Sequence, residues 1–328
     1  VDGGAARGAR RRPGIGEASM TALAATRERL KFEFGRHETF AVRHGWLGKG
    51  IGHMSGADEG FHDEETAVVK LGLGTRMVKS LRYWMEATGL AEREEADESA
   101  RRSRDLRLTR LARVIQDHDP HLEYPATWWF VHLHLARRTN SVWGWFFSDF
   151  RERNFDRAVC VEAYVRHLRL NAAKEPSQQV AQRDVACALL AYASPAAAEP
   201  QDPEDGTSSP LRDLGLVVKH ADTGRFEKTR PLDGVPLESF AACVALAAAD
   251  VGQEAMSVGE MLGRRGGPGT VFNLDAETIE DMAIRAAAEF RERGVALDLL
   301  GAERRLRVPT TDPADWLDRH FQRIGAAA

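Results

Sequence analysis

The stretch QDHDPHLEY, residues 116–124, places three carboxylates, Asp117, Asp119 and Glu123, close together around Pro120. Hard oxygen ligands of this kind suit Mg2+ or Mn2+, ions that polarise a phosphodiester and activate water for its hydrolysis. His118 and His121 adjoin them and could orient that water or bind phosphate. The same residues also read as a helix entrance, with Asp119 capping and Glu123 on the positive end of the helix dipole. A second pair, His37-Glu38, sets an imidazole beside a carboxylate, as a general base and ligand would require. It reads equally as a set of hydrogen-bonding groups that holds the start of a domain. Asp149 and Asp184 are further acids that folding could bring in, whereas Asp58, Glu59, Asp63, Glu64 and Glu65 suit a solvated loop and helix start. No recognised nuclease signature is present, neither a PD…(D/E)xK nor an HNH pattern, and this is the strongest argument against an enzyme.

A different chemistry belongs to LGLGTRMVKSLRYWMEATGL, residues 71–90, where Arg76, Lys79 and Arg82 occur with no acid among them. Glu64 to Leu71 predicts a short helix with acids in its first turn, Gly72-Leu73-Gly74 a tight turn, and Thr75 the cap of a second helix running to about Glu86. Val68, Gly72, Val78 and Leu81 then fall at helix-turn-helix spacing. That register turns Thr75, Arg76, Lys79 and Ser80 outward, on the face that enters a major groove. Arg82 lies one turn on, suited to a phosphate, and Arg43, His44 and Lys49 add positive charge upstream. An ordinary helical hairpin with a solvated basic face is the bland alternative. Leu90 begins a segment ending in LRLTRLARVI, where a winged variant would place its wing and a third helix.

These groups need a scaffold, and the composition supplies an ordinary one: 328 residues, 43% hydrophobic, 29% charged, net charge -4. Nucleic-acid binding therefore depends on local charge rather than on the total. No apolar run has the length of a membrane span, and a cytoplasmic protein without a membrane partner is expected. Residues 1–30, rich in arginine and glycine, read as a disordered basic arm. Residues 31–118 read as the winged helix-turn-helix-like DNA-binding domain, 119–193 as a helical core, 194–209 as a Pro/Ser/acid linker and 210–328 as an α-rich C-terminal domain. The charge run AEREEADESARRSRD (91–105) suits a solvated loop or wing. Residues 123–137, apolar on nearly every side, predict a buried helix. Residues 155–170 and 178–192 predict amphipathic helices, LGLVVKH and GRFEKTR two strands, and Leu237–Ala249 an alanine-rich helix. Asp275, flanked by Leu274 and Ile279, predicts a capped helix with a stripe of Ile279, Met282, Ala283, Ala286 and Phe290. Asp312-Pro313 repeats that start signal, and VFNL (271–274) reads as strand-like. Cys160, Cys187 and Cys243 are far apart and suit buried thiols. Trp128, Trp129, Trp143, Trp145, Phe146 and Phe147 could stack on bases, but their apolar helices favour a core. The expected class is mainly α with few short strands.

Four stretches occur in the order found in the SspB family: GRHETFAVRHGWLGKG (35–50), LGLGTRMVKSLRYW (71–84), DPHLEYPATWWFVHLHL (119–135) and GPGTVFNL (267–274). The chain resembles that family over roughly residues 31–290. It departs from the usual form at Arg36, where glycine precedes the first His-Glu pair. It departs again at Tyr124, where a second acid often follows Leu-Glu, and this weakens any metal site that counts on that acid. The resemblance implies a DNA-nicking component of a bacterial DNA phosphorothioation system with a role in phage defence. It implies dependence on a divalent metal, and partnership with a cysteine desulfurase, an ATP-pyrophosphatase-like protein and an ATPase. Two alternatives stay open: a non-catalytic DNA-recognition subunit that recruits the modification complex, and a helix-turn-helix transcriptional regulator.

Overall fold

The computed structural model describes residues 29–56, 61, 63–93, 106–195, 208–231, 234–300 and 303–327. Residues 1–28 of the basic arm, Asp58 and Glu59, residues 94–105 of the charged loop and 196–207 of the linker lie outside the described residues. The chain is mainly α, with a few short strands.

The first unit holds α1 (Trp46–Ser55), α2 (Glu64–Leu71) and α3 (Thr75–Ala87), followed by the antiparallel pair β1 (Ala91–Arg93) and β2 (Leu106–Leu108) and then α4 (Arg110–His118). Asp63 caps α2 by accepting from the Glu65 amide. Gly72 ends it at φ 63 with its amide on the Val68 carbonyl, a left-handed cap that glycine adopts without strain. The two expected helices and the turn between them are present, although Gly74 rather than Thr75 occupies the N-cap of α3 and makes no side-chain cap bond. Val78, Leu81 and Met85 are buried as the register requires. Leu81 and Met85 meet α1 at Gly50, where a Cβ would lie 2.6 Å from the Met85 sulfur, so a larger residue there would require the Met85 side chain to move.

Next come α5 (Pro125–Arg137), α6 (Val142–Ser148), β3 (Asn154–Phe155), α7 (Arg157–Asn171), α8 (Gln178–Tyr192) and β4 (Ala193–Pro195). Pro125 opens α5 at the position where a missing N–H costs nothing. The helix is buried along nearly its whole length because it has no polar face to offer solvent. Trp128, Trp129, Trp143, Trp145, Phe146 and Phe147 are all buried, so these rings form core rather than a stacking surface. Trp143 donates from Nε1 to the Tyr83 hydroxyl at 2.7 Å and its ring lies 5.0 Å from Trp84. The buried apolar cluster is thereby continuous from Phe32 to Phe321.

The remaining elements are a 3-10 turn (Pro210–Leu214), β5 (Val217–Lys219), β6 (Phe226–Lys228), α9 (Leu237–Ala249), β7 (Ala255–Ser257), α10 (Val258–Gly263), α11 (Pro268–Val271), α12 (Ala276–Glu289), β8 (Ala296–Leu300), β9 (Glu303–Arg307) and α13 (Pro313–Ala327). Strands β3-β6-β5-β4 form one sheet, with β4 parallel to β5 and the other pairs antiparallel. Strands β7-β9-β8 form a second, antiparallel sheet. Asp275 caps α12 through the Thr278 amide, and the expected stripe from Ile279 to Phe290 is buried. VFNL is not a strand: Pro268 starts a one-turn helix, and Asn273 adopts φ 54 while its amide donates to the Leu216 and Thr229 carbonyls. The β8–β9 hairpin had no clear signal, because its strands are largely solvated and lack a buried alternating face. The three cysteines are buried free thiols. Among the described residues no helix is long and apolar enough to cross a membrane.

Candidate functional site

The turn between α4 and α5 presents the carboxylate cluster in an unexpected way. Asp119 points inward: Oδ1 accepts from the Glu123 amide at 2.8 Å, and Oδ2 from the Tyr124 amide at 3.2 Å and the Thr127 hydroxyl at 2.6 Å. Both oxygens organise the approach to α5, which is the helix-entrance reading. Asp117 and Glu123 remain exposed. The three carboxylates are thus not gathered around one point, and among the described residues no group of three or more His, Cys, Asp or Glu side chains could hold a metal ion. The neighbouring histidines divide as well. His118 lies flat on Phe321 at 5.1 Å and pairs with Asp318 at 3.3 Å, docking α13, while His121 stays exposed.

His37 and Glu38 also separate. His37 is buried, and its Nδ1 accepts from the Thr39 amide at 3.0 Å. Its Nε2–H is therefore left to donate to Asp184 Oδ1 at 2.9 Å, an oxygen that also accepts from the Gly35 amide. Asp184, the acid in the apolar run of α8, is the residue that the fold brings to this histidine across the whole first half of the chain. The pair ties the N-terminal turn to the helical core, the hydrogen-bonding role rather than the exposed general base. Glu38 and Thr39 follow with φ of 51 and 70. Two successive left-handed residues, one of them β-branched, cost on the order of 1–3 kcal/mol each and are held by the His37 bonds and by Arg76. Arg76 donates from Nε to Glu38 Oε2 at 3.1 Å and from its Nη2 to the Glu38 carbonyl.

Arg76 and Lys79 of α3 are exposed but find acids from other elements, whereas Arg82 is half-buried. Arg76, with a side chain 64% exposed, pairs with Glu38, and Lys79 pairs with Glu64 at 3.3 Å. Arg82 donates to the Phe61 carbonyl at 3.4 Å. Ser80 departs from the expected outward face: it is fully buried and its hydroxyl donates to the His37 carbonyl at 2.8 Å. Position 80 lies on the flank of α3 that packs under the His37 turn, so its side chain cannot reach a groove. Thr75 and Lys49 are exposed. The guanidinium carbons of Arg43 and Arg76 lie 5.4 and 5.9 Å from the Phe40 ring centroid, which joins two cations distant in sequence into one patch.

Two polar groups went unmarked in the sequence. His132, inside the largely apolar α5, donates from Nε2 to the Val271 carbonyl at 2.7 Å, and its Nδ1 accepts from the Tyr192 hydroxyl at 2.8 Å. Burial lowers its pKa to about 4, so it is a neutral strut joining α5, α8 and the GPGTVFNL segment. Lys228 donates to the Phe146 and Phe150 carbonyls and lies 4.5 Å from the Phe146 centroid, closing the end of α6. Burial pushes its ammonium down to about 7. A polar residue interrupting an apolar run was the available signal for His132; Lys228 had none, because its acceptors are backbone carbonyls of another element.

The overall fold is shared with known structures. The chain is similar to the magnesium ion-bound SspB crystal structure, with a TM-score of 0.77 and 28% identity over 90% of each chain. A second SspB crystal structure matches with a TM-score of 0.76, at the same identity and coverage. No curated protein matches. A family profile described as Protein of unknown function (DUF4007) matches residues 34–318. With an SspB-like fold and this profile spanning most of its length, the chain belongs to the DUF4007 family.

Proposed function

We propose that this protein binds duplex DNA and nicks one strand in a divalent-metal-dependent manner, as a component of DNA phosphorothioate modification in phage defence. The observation that carries the reading is the likeness to the magnesium ion-bound SspB crystal structure over 90% of both chains. DNA would approach the patch of Arg43, Lys49, Thr75, Arg76 and Lys79, where Arg76 and Lys79 would exchange their carboxylate partners for phosphates. Exposed ion pairs of this kind contribute only about 0–1 kcal/mol, so the exchange costs little. Buried Ser80 takes no part, and Arg82 contributes at the edge.

The metal would be Mg2+ or Mn2+. Such ions are commonly held by one or two carboxylates together with substrate phosphates, and Asp117 and Glu123 are the exposed carboxylates of the sequence cluster. Asp119 does not fit as a ligand, because both of its oxygens are committed to the turn. The partners would be a cysteine desulfurase, an ATP-pyrophosphatase-like protein and an ATPase. Supercoiled plasmid incubated with the purified protein and Mg2+ should convert to the open circle, and EDTA should prevent it. The committed oxygens of Asp119 favour a second reading, a recognition subunit that recruits the modification complex. Plasmid binding without metal-dependent nicking would select it.

A further inference from the structure

Position 38 has a backbone that suits glycine, yet it carries a glutamate. Glu38 and Thr39 take φ of 51 and 70 in succession, a conformation that glycine adopts without steric cost. Strained residues persist where the surrounding structure fixes them, and they concentrate where the side chain has a use. The turn is fixed from several sides. The Gly35 amide and the His37 ring bond Asp184 on α8, and the Thr39 amide donates to His37 Nδ1. The Ser80 hydroxyl of α3 donates to the His37 carbonyl, and the Trp84 indole to the Phe40 carbonyl at 3.1 Å. None of these ties uses the Glu38 side chain.

That side chain lies on the first cation of α3. Arg76 donates from Nε to Glu38 Oε2 at 3.1 Å and from Nη2 to the Glu38 carbonyl at 3.3 Å. One turn along the helix, Glu64 from the first turn of α2 makes the matching contact with Lys79 at 3.3 Å. A carboxylate on a guanidinium or ammonium occupies donors that a phosphate oxygen would otherwise take. The four side chains are between 32% and 64% exposed, so a competing anion can reach both pairs from solvent.

We infer that Glu38 and Glu64 are autoinhibitory: they sit on the cations of α3 in the free protein and compete there with the phosphates of a DNA duplex. The inference rests on the DNA-binding reading of α3 and adds to it the groups that hold binding in check. Because the turn is tied to α8 and to Ser80, Glu38 stays beside Arg76 after displacement and goes on competing. An isolated anion meets this competition at each cation, whereas a duplex presents several phosphates together. A weak exposed pair leaves its cation free between about half and about one-sixth of the time. Removing the competing charge should therefore tighten binding roughly two- to sixfold per pair.

The test follows a fluorescently labelled duplex binding to the full-length chain by anisotropy, in EDTA so that no strand is cut. Glu38→Gln keeps the shape and an acceptor for Arg76 but removes the charge. It should bind roughly two- to sixfold more tightly, with a gain that shrinks as salt screens the exposed charges. Glu64→Gln should act likewise through Lys79, and it decides if the melting temperature shows that Glu38→Gln has lost its fold. Glu65→Gln removes the same charge from the next residue of α2, which pairs with neither Arg76 nor Lys79, and should gain less. A folded Glu38→Gln or Glu64→Gln that binds no more tightly than the parent overturns the inference for that glutamate. An equal gain in Glu65→Gln overturns it for both, because net charge alone would then account for the effect. The variant Arg76→Ala/Lys79→Ala/Arg82→Ala separates the two levels. Binding like the parent removes the DNA-binding reading and this inference together, whereas weaker binding without a gain in the glutamine variants removes only the inference.

Discussion

Glu238, in the first turn of α9, is the sharpest place to test the energetics of the fold. Its side chain is 0% exposed, yet it is ionised, because α13 delivers two partners to it. Arg323 donates from Nε to Oε1 at 2.8 Å, and His320 lies 3.2 Å from Oε2. Burial alone would raise the carboxyl pKa; the bonds from His320 and Arg323 overcome it and hold the group at about 2, below its ordinary 4.5. A depressed carboxyl pKa stabilises the fold above the unfolded value and loses that stabilisation as pH falls through the folded value. At about 1.36 kcal/mol per unit, the shift corresponds to about 3 kcal/mol at pH 7, of which less than half survives at pH 3. Glu238→Gln keeps the shape and removes the charge. Urea unfolding followed by circular dichroism should show the variant about 3 kcal/mol less stable at pH 7, with the gap less than half as large at pH 3. A gap that stays constant between the two pH values would refute the argument, since it would mean that the variant loses packing rather than an ion pair.

Leu81 lies at the meeting of α3 and α1, so Leu81→Ala should cost about 2–5 kcal/mol, read as a lower melting temperature with DNA affinity per folded molecule retained. The triple variant Arg76→Ala/Lys79→Ala/Arg82→Ala should bind duplex DNA more weakly, and each lost phosphate contact should remove roughly 0.9 from the slope of log K against log salt; an unchanged slope would remove α3 from the interface. Asp119→Asn should lower the melting temperature, because in either orientation of the new amide its NH2 faces a backbone N–H, that of Glu123 at the Oδ1 position or that of Tyr124 at the Oδ2 position. Glu123→Gln should leave the melting temperature unchanged, so any loss of plasmid nicking in that variant reports chemistry rather than folding.

The elements whose signals are local were readable from the residues in order. Asp275, Leu274 and the stripe that ends at Phe290 define α12 within its own stretch of chain, and the boundaries of α8 and α9 coincide with their apolar periodicity. Gly72 and the Val78/Leu81 spacing likewise place the α2–α3 turn, because a left-handed cap and a buried stripe are properties of neighbouring residues. The mainly α class follows from the same local signals.

What tertiary structure alone decided concerns groups whose partners lie far along the chain. Adjacent residues in QDHDPHLEY look like a shared site, but a turn directs Asp119 inward and leaves Asp117 and Glu123 in solvent. Position within a sequence does not set the direction of a side chain once the backbone bends. The absence of acids between Arg76 and Arg82 suggested an unopposed cationic face, yet Glu38 and Glu64 reach it from other elements. His37 waits for Asp184, Lys228 for carbonyls at the end of α6, and Glu238 for the final helix. Glu86 shows the limit most plainly. Its charge is visible in the sequence, but that one of its oxygens is buried with no donor among the described residues depends on which segments fold around it.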